Sequence, residues 1–266
     1  MPSDLKPQTS TVNSRLWGAR AKDWANLQEA CCRPVYEAVL KRCVVSKATR
    51  YLDAGCGAGM AAQIAAERGA VVTGIDASSM LLEIARSRVP NGDFRVGDLE
   101  ALPYSDGAFD VVTGFNSFQY AGNPIIALGE ARRVVKSDGK LVIMTWGDPA
   151  KMEAASLVTV LRPLMPPPPP GAPGPFALSD ETALRKFATD AKLSPIETFD
   201  VDSPFIYADE ETGIRALNSS GVAVRAMDNT SEAAVTDAHR KALAPFRQKD
   251  GSYRVSATFR CLLAKP

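Results

Sequence analysis

Short β-like runs alternate with helical segments from about Thr49 to Trp146, and no other feature of the sequence limits the possible folds as strongly. The β-like runs are RYLDA, VVTGID, DFRVGD, FDVVTGF and KLVIMTW. The helical segments between them cover residues 58–68, 79–88 and a stretch opened by Pro124, which we expect to end at Gly139. This alternation predicts βαβ units, and therefore a parallel sheet with helices packed on its faces.

The two ends of the chain carry different patterns. Residues 17–43 read as helix interrupted at Pro34, and a further helix is expected from about Lys151. The proline run MPPPPPGAPGPF, residues 165–176, predicts an extended connector, because proline fixes φ and lacks the amide proton. In SYRVSATFRCLL, residues 252–263, every second side chain from Tyr253 to Leu263 is apolar, and positions 254, 256, 258 and 260 are polar. This pattern predicts one long antiparallel strand near a sheet edge. A partner strand is expected around Phe199 and Val201, and helices at 210–218 and 231–248.

Charge and composition argue against several classes of partner. The 266 residues include 31 basic and 30 acidic side chains, a formal net charge of +1, so no overall field favours nucleic acid or an anionic membrane. Five cysteines without CxxC spacing fit neither a disulfide framework nor a zinc site. The N-terminus lacks a secretory signal pattern. We expect a soluble, cytoplasmic protein that acts on a small molecule and has no metal site.

The loop YLDAGCGAGM, Tyr51–Met60, lies between the first predicted strand and the first predicted helix. At that point in a parallel sheet, backbone amides and the positive end of a helix meet a ligand, and glycine allows close approach. A dinucleotide-binding fingerprint would place a third small residue where Met60 stands. Read as GxGxG, the loop instead uses Gly55, Gly57 and Gly59.

Three carboxylates follow three successive strands of the predicted sheet. Asp53 can sit near a cationic amine and sulfonium, Asp76 can accept two hydrogen bonds from ribose hydroxyls, and Asp98 can accept from an adenine amino group. A pyrophosphate would instead require amides and a helix dipole. The three acids together favour a ligand that is neutral to cationic.

With these residues the sequence resembles the class I S-adenosylmethionine-dependent methyltransferases, in particular the small-molecule group similar to the ubiquinone-biosynthesis methyltransferases (methyltransferase type 11). Four motifs carry the resemblance in order: LDAGCGAG, GIDASSML, GDLEALPYSDGAFDVV and ARRVVKSDGKLVI. The resemblance implies a Rossmann-like, doubly wound α/β fold whose seven-stranded sheet, ordered 3-2-1-4-5-7-6, is mostly parallel with one antiparallel strand. It implies an N-terminal helical lid at 1–48, and a catalytic domain at 49–266 with a helical insertion at about 209–249.

The resemblance also nominates residues that bind S-adenosyl-L-methionine. Beyond the loop glycines and the three acids, the implied contacts are Ala77 and Met80 against adenine, the Leu99 amide, Phe115 and Asn116 beside the methionine end, and Trp24 and Arg20 in the closing segment. Trp24 stands where tyrosine is common in this group. Trp17 is interpreted as structural.

No residue of the sequence stands out as catalytic. Methyl transfer from a sulfonium needs alignment and exclusion of water more than an acid or base. Gln119, Tyr120 and His239 are the weak candidates for contact or proton removal, and Gln119 could equally cap its loop. The loop GFNSFQY is not the D/N-PP-Y/F sequence of the amino-methyltransferases that act on nucleobases. Two alternatives stay open: an NAD(P)-dependent oxidoreductase, and a non-catalytic module that binds S-adenosylmethionine.

Overall fold

The computed structural model describes residues 9–167 and 174–266. Seven strands form one sheet in the order β3-β2-β1-β4-β5-β9-β6, and β7 pairs with β8 in a small second sheet. The strands are β1 Arg50–Ala54, β2 Val71–Asp76, β3 Asp93–Val96, β4 Phe109–Phe115, β5 Val135–Trp146, β6 Ser194–Asp202, β7 Phe205–Tyr207, β8 Tyr253–Val255 and β9 Thr258–Lys265. Strand β9 runs antiparallel to both of its neighbours, and the pairs among β1 to β5 are parallel. The predicted fold class and strand order are confirmed.

Helices cover both faces of this sheet. They are α1 Thr9–Gly18, α2 Ala21–Asp23, α3 Arg33–Arg42, α4 Met60–Glu67, α5 Ser79–Arg88, α6 Pro124–Val134, α7 Ala154–Thr159, α8 Glu181–Asp190, α9 Glu210–Asn218, α10 Gly221–Asn229 and α11 Glu232–Leu243. Tyr51 and Leu52, adjacent on β1, are fully buried in two different hydrophobic clusters. A central parallel strand buried on both faces explains why its sequence is apolar without alternation.

The first helix of the N-terminal region begins earlier in the chain than the sequence pattern predicts. Helix α1 starts at Thr9, where the sequence analysis placed the first helix at Trp17. A π-helical turn at Trp24–Gln28 and a 3₁₀ turn at Glu29–Cys32 lie between α2 and α3. Pro34 stands in the first turn of α3, where its missing amide costs no helical hydrogen bond. The interruption predicted at this proline is therefore the start of a new helix.

The long strand predicted at 252–263 is wrong, because the chain divides it into β8 and β9. The break follows from Ser256, whose backbone N–H donates to Glu153 Oε2 at 2.7 Å and whose carbonyl accepts from the N–H of Ala154 at 3.0 Å. Those bonds replace ladder partners, and β8 leaves the main sheet to pair with β7. Alternation of side chains continues across the break, so the sequence pattern does not reveal it. Strand β9 lies second from the edge, next to β6.

The helix end predicted at Gly139 is also wrong. Helix α6 ends at Val134, and Gly139 belongs to β5. A side-chain carbon at Gly139 would lie 2.9 Å from the Asp110 carbonyl oxygen, so the glycine permits close approach of two strands. Helix α10 was missed altogether, between the two predicted helices of the insertion. Of the proline-rich connector, residues 168–173 lie outside the described residues.

Candidate functional site

A cavity of about 130 Å³ opens where β1 to β4 end. Its wall includes nine of the residues nominated from the sequence: Trp24, Gly55, Asp76, Ala77, Asp98, Leu99, Phe115, Asn116 and Tyr120. It also includes Ser10, Asn13, Trp17, Leu81, Gly97, Ser117, Ala121 and Gly122. Carboxyl ends of parallel strands are the usual ligand site in open α/β sheets, since loop amides and helix N-termini converge there.

The glycine loop is shaped by its three glycines. Gly55, Gly57 and Gly59 have φ of 79°, 54° and 84°, in the left-handed region that favours glycine. A side-chain carbon at Gly55 would lie 2.4 Å from Ser117 Cβ, and one at Gly59 would lie 2.7 Å from Ala85 Cβ. The loop therefore requires glycine for backbone conformation at all three positions, and for packing at the first and third.

Asp76 anchors this loop from the end of β2. Its Oδ2 accepts from the N–H of Gly57 at 2.9 Å, and its Oδ1 accepts from the N–H of Ser78 at 2.8 Å. Burial raises the pKa of this carboxyl, and the amide hydrogen bonds oppose that shift. A carboxylate has about four acceptor positions, so two remain for a ligand in the cavity.

The other two nominated acids differ from each other. Asp98 lines the cavity, and its Oδ1 accepts from the N–H of Glu100 at 3.0 Å, which orients the carboxylate. Asp53 is only 1% exposed and accepts from the Thr113 hydroxyl at 3.3 Å, one strand away. Burial raises its pKa to about 8. Asp53 is not part of the cavity wall.

Asn116 follows β4 with a φ of 50°, a left-handed conformation that asparagine tolerates better than most residues. Its N–H donates to the Met144 carbonyl at 3.1 Å, and its Oδ1 accepts from Gln119 Nε2 at 2.8 Å. Gln119 lies outside the cavity wall and orients Asn116 through this bond. Backbone strain of this kind is often found where a residue must face a ligand.

The N-terminal segment, residues 9–28, covers the glycine loop. A side-chain carbon at Gly57 would lie 3.7 Å from Trp24 Nε1, so the Trp24 indole lies directly over the loop. The Trp17 ring meets the Trp24 ring edge-on, with centroids 5.1 Å apart, and the Tyr120 ring at 5.7 Å. Asn13 Nδ2 donates to the Tyr120 carbonyl at 2.8 Å.

Glu29 and Arg88 form a buried ion pair beneath this segment, with side chains 3% and 17% exposed. Glu29 also accepts from the N–H of Met60 at 3.2 Å, in the first turn of the helix after the loop. Arg88 donates to the Ala58 carbonyl at 2.9 Å and to the Ala25 carbonyl at 2.7 Å. The pair joins the N-terminal segment to the glycine loop and to the end of α5.

Four more residues nominated for cofactor binding, besides Asp53, lie away from the cavity wall. Arg20 forms an ion pair with Glu232 at 2.6 Å, and Met80 is 51% exposed at the start of α5. Gly57 and Gly59 shape the loop from behind the wall.

The candidate base His239 is absent from the cavity wall as well. It is buried, its Nδ1 lies 2.7 Å from Asn218 Oδ1, and burial lowers its pKa to about 4. The imidazole is therefore neutral at physiological pH and joins two helices of the insertion. Tyr120 does line the cavity, but burial raises its pKa to about 12, which keeps the phenol protonated near neutrality.

Sequence reasoning missed most of the wall that α1 provides. Ser10, Asn13 and Trp17 lie at helical spacing on the face of α1 that meets the cavity. That spacing was a usable signal, but the predicted helix began only at Trp17. Ser117, whose hydroxyl donates to the Ala54 carbonyl at 2.6 Å, had no pattern to identify it. Glu29 and Arg88 lie 59 residues apart, and no local pattern pairs them.

Among residues 9–167 and 174–266, no group of three or more His, Cys, Asp or Glu side chains is placed to hold a metal ion. All five cysteines are free and buried. Across the same described ranges, we find no helix with the length and apolar character that crossing a membrane requires.

The family model described as a methyltransferase domain (Methyltransf_11) matches residues 52–143. That span holds the glycine loop, Asp76, Asp98 and Asn116, and hence most of the cavity floor. Residues 52–143 form a methyltransferase domain. The resemblance inferred from the four sequence motifs is confirmed.

Relatives of this methyltransferase domain act on small molecules or on a carrier-bound acid, by their names. A demethylmenaquinone methyltransferase of Renibacterium salmoninarum is 32% identical over 149 residues, which cover 56% of this chain and 58% of the relative. A malonyl-[acyl-carrier protein] O-methyltransferase of Erwinia pyrifoliae is 34% identical over 149 residues, covering 53% of this chain and 55% of the relative. The chain therefore matches a little over half the length of each of these two proteins.

A solved structure resembles most of the fold. A proposed methyltransferase of Bacillus halodurans superposes with a TM-score of 0.57 over 86% of this chain and 97% of its own, at 16% identity. At this low identity the superposition establishes a shared fold and nothing about the reaction. The reaction is therefore argued from the site.

Proposed function

We propose that this protein transfers a methyl group from S-adenosyl-L-methionine to a small, partly apolar molecule. The observation that carries the proposal is the cavity itself. Most of its wall lies within the methyltransferase domain, and Asp76 and Asp98 both line it at the ends of neighbouring strands. When bound, S-adenosylmethionine supplies a methyl group on a cationic sulfur, open to in-line displacement by a nucleophile.

The residues present fit that cofactor. Asp76 uses two acceptor positions on backbone amides and keeps two for the ribose hydroxyls. Asp98 and the Leu99 amide would bind adenine, and Asn116, Phe115 and Gly55 would surround the methionine end. A cation is favoured, because the charged side chains on the cavity wall are the carboxylates Asp76 and Asp98. The same two acids would repel the pyrophosphate of NAD.

The residues of this chain would contribute alignment of the reactants and exclusion of water from the site. Trp17, Trp24, Phe115 and Tyr120 are aromatic side chains of the cavity wall. They would exclude water around the transfer, while the glycine loop and Asn116 would fix the direction of approach. Gln119 would act through Asn116, by holding its side-chain oxygen.

The acceptor would supply its own reactive lone pair. Neither candidate base is suited to remove a proton, since Tyr120 stays protonated and His239 is bonded inside the insertion. An acceptor that is already an anion near neutral pH, such as a thiolate, or that carries an unprotonated nitrogen, needs no protein base. We place it between the N-terminal helices and the insertion, residues 209–249, in a cytoplasmic protein whose cysteines stay reduced.

Calorimetric titration with S-adenosylmethionine, with its demethylated product S-adenosylhomocysteine and with NAD tests the cofactor. We expect the first two to bind and NAD to give no heat. Micromolar binding of NAD alone would favour the oxidoreductase alternative. Incubation with methyl-labelled S-adenosylmethionine and a panel of acidic phenols, quinols, carboxylic acids, thiols and amines then tests turnover, with tRNA and DNA as contrasting substrates. Binding without any labelled product would support the non-catalytic alternative.

A further inference from the structure

Trp17 of α1 joins the cavity to the insertion. One side of its indole lines the cavity beside Trp24 and Tyr120. The indole also packs on Gly221, the first residue of α10, where an added side-chain carbon would lie 2.8 Å from both Nε1 and Cε2 of Trp17. A residue interpreted as structural from sequence thus touches both the candidate site and the insertion.

The glycine at position 221 has no conformational explanation. Its φ is not in the left-handed region, and it opens a helix whose N-cap is Ser220. Alanine has the higher helix propensity, so helix formation does not favour glycine here. What alanine cannot do is share the space with the Trp17 indole.

Three ion pairs cross the same boundary between the N-terminal helices and the insertion. They are Arg15–Asp228 at 2.5 Å, Arg20–Glu232 at 2.6 Å and Asp23–Arg215 at 2.6 Å. Each is partly or largely exposed and contributes little to stability by itself. Of the three, Arg15–Asp228 joins α1 to α10, and the other two join the residues after α1 to α11 and α9. The contact between Trp17 and Gly221 sets how closely α1 and α10 approach.

We propose that Trp17 is a cofactor-contacting residue whose position is set by the insertion through Gly221, so that α10 controls cofactor affinity without touching the cofactor. This rests on the proposed binding of S-adenosylmethionine. A methyl group at position 221 would displace the indole, which also borders Trp24, Tyr120 and the cavity, so all of the movements open to it alter those contacts. Each of those movements changes the cavity wall.

The experiment compares Gly221→Ala with Gly129→Ala, the same substitution in α6 at a site with nothing within 4 Å of the added carbon. Affinity for S-adenosylhomocysteine is measured by calorimetry, so no turnover is needed. We expect Gly221→Ala to weaken binding by at least about fivefold, the lower end of overpacking effects, and Gly129→Ala to leave it unchanged. Equal affinity of wild type and Gly221→Ala would overturn the inference.

Trp17→Phe supplies the decisive background, because the smaller ring leaves room for the added methyl group. We expect Trp17→Phe to weaken binding and Gly221→Ala to have no further effect in that background, a non-additive result. Additive effects would overturn the coupling. If Gly221→Ala fails to fold only while Trp17 is present, the contact is supported, and failure in both backgrounds contradicts it. A wild-type chain that does not bind the probe contradicts the proposed function instead.

Discussion

Asp76 combines two tasks in one carboxylate. Its hydrogen bonds from the amides of Gly57 and Ser78 shape the glycine loop, and its remaining acceptor positions are left for a ligand in the cavity that it lines. An asparagine could not do both, since its NH₂ group would meet a backbone N–H. The chemical requirement at this position therefore comes from the loop as much as from a ligand.

Replacement of Asp76 by alanine is expected to weaken binding of S-adenosylhomocysteine by about 2–4 kcal/mol, because charge-assisted bonds to the ribose disappear and the Gly57 amide loses its partner. Calorimetry measures the loss. Asp180→Ala is the matched control, since Asp180 also accepts from a backbone N–H, that of Ala183, in a helix away from the cavity. Normal binding by Asp76→Ala would show that this acid has been misassigned.

Arg88 is the residue whose loss should most reduce stability among the charged groups beneath the N-terminal segment. Arg88→Met leaves Glu29 buried without its ion pair, and we expect the free energy of unfolding to fall by about 3–5 kcal/mol. Arg33→Met, which breaks an exposed pair with Glu37, should cost no more than about 1 kcal/mol. Urea unfolding of the two variants compares them. Similar losses in both would contradict a special role for the buried pair.

Helix α1 forms one side of the cavity through Ser10, Asn13 and Trp17. It contacts the loop after β4 through Asn13, and it contacts the insertion through Trp17 and Arg15. These contacts are made by side chains, and among the described residues no backbone pairing ties the helix to the sheet. An element held by packing on α5, on α10 and on the loop after β4, without strand pairing, can open without unfolding the domain. This is the physical basis for treating the N-terminal region as a lid, an assignment that stays a prediction.

Hydrogen exchange tests the lid. Saturation with S-adenosylhomocysteine is expected to slow amide exchange in α1 severalfold or more, because a ligand seated beneath Ser10, Asn13 and Trp17 stabilises the closed arrangement. The insertion should slow further when an acceptor binds as well. Helix α8, away from the cavity wall, serves as the internal control. Exchange in α1 that does not respond to a bound ligand would contradict the lid.

The whole molecule carries buried acid close to its ligand site. Glu29, Asp53 and Asp76 are all acids whose pKa values burial raises, and they lie around the glycine loop. The ionised form of each is costly to bury. Global stability is therefore linked to pH through buried acids around the glycine loop, of which Asp76 is also one of the two carboxylates on the cavity wall.

Asp53 allows this linkage to be measured. Its pKa rises from an ordinary value of 3.8 to about 8 in the folded protein, so the folded state holds a proton that the unfolded state has released. Its contribution should lower the free energy of unfolding as pH rises from about 4 to about 8, by at most about 1.4 kcal/mol per pH unit. Asp53→Asn, which can still accept from Thr113, should remove that slope in urea unfolding at several pH values.

Asp209→Asn is the control for this measurement. The Thr212 amide lowers the pKa of Asp209, so its contribution is present above the ordinary pKa and is lost only as pH falls through the lowered value. The variant should follow the wild type between pH 4 and 8. A wild-type slope that survives in Asp53→Asn would assign the linkage to other groups.

Local sequence patterns predicted most strands of the sheet. Four of the five strands β1 to β5 were bounded closely, because buried parallel strands read as short apolar runs between helical segments, and both signals lie within ten residues. The glycine loop could be assigned in the same way, since backbone conformation at Gly55, Gly57 and Gly59 depends on side-chain volume alone. The positions of Asp76 and Asp98 at neighbouring strand ends followed from the parallel order.

Contacts between distant residues decided the rest. Ser256 divides the last strand pattern into two strands because Glu153, 103 residues away, and the adjacent Ala154 take its backbone hydrogen bonds. Trp17 lines the cavity, and Gly221 leaves room for its ring. Asp53 lies outside the cavity wall, where it accepts a hydrogen bond from Thr113 inside the sheet. Sequence patterns report the period and chemistry of neighbouring residues, whereas these outcomes depend on which side chains the folded chain brings within contact distance.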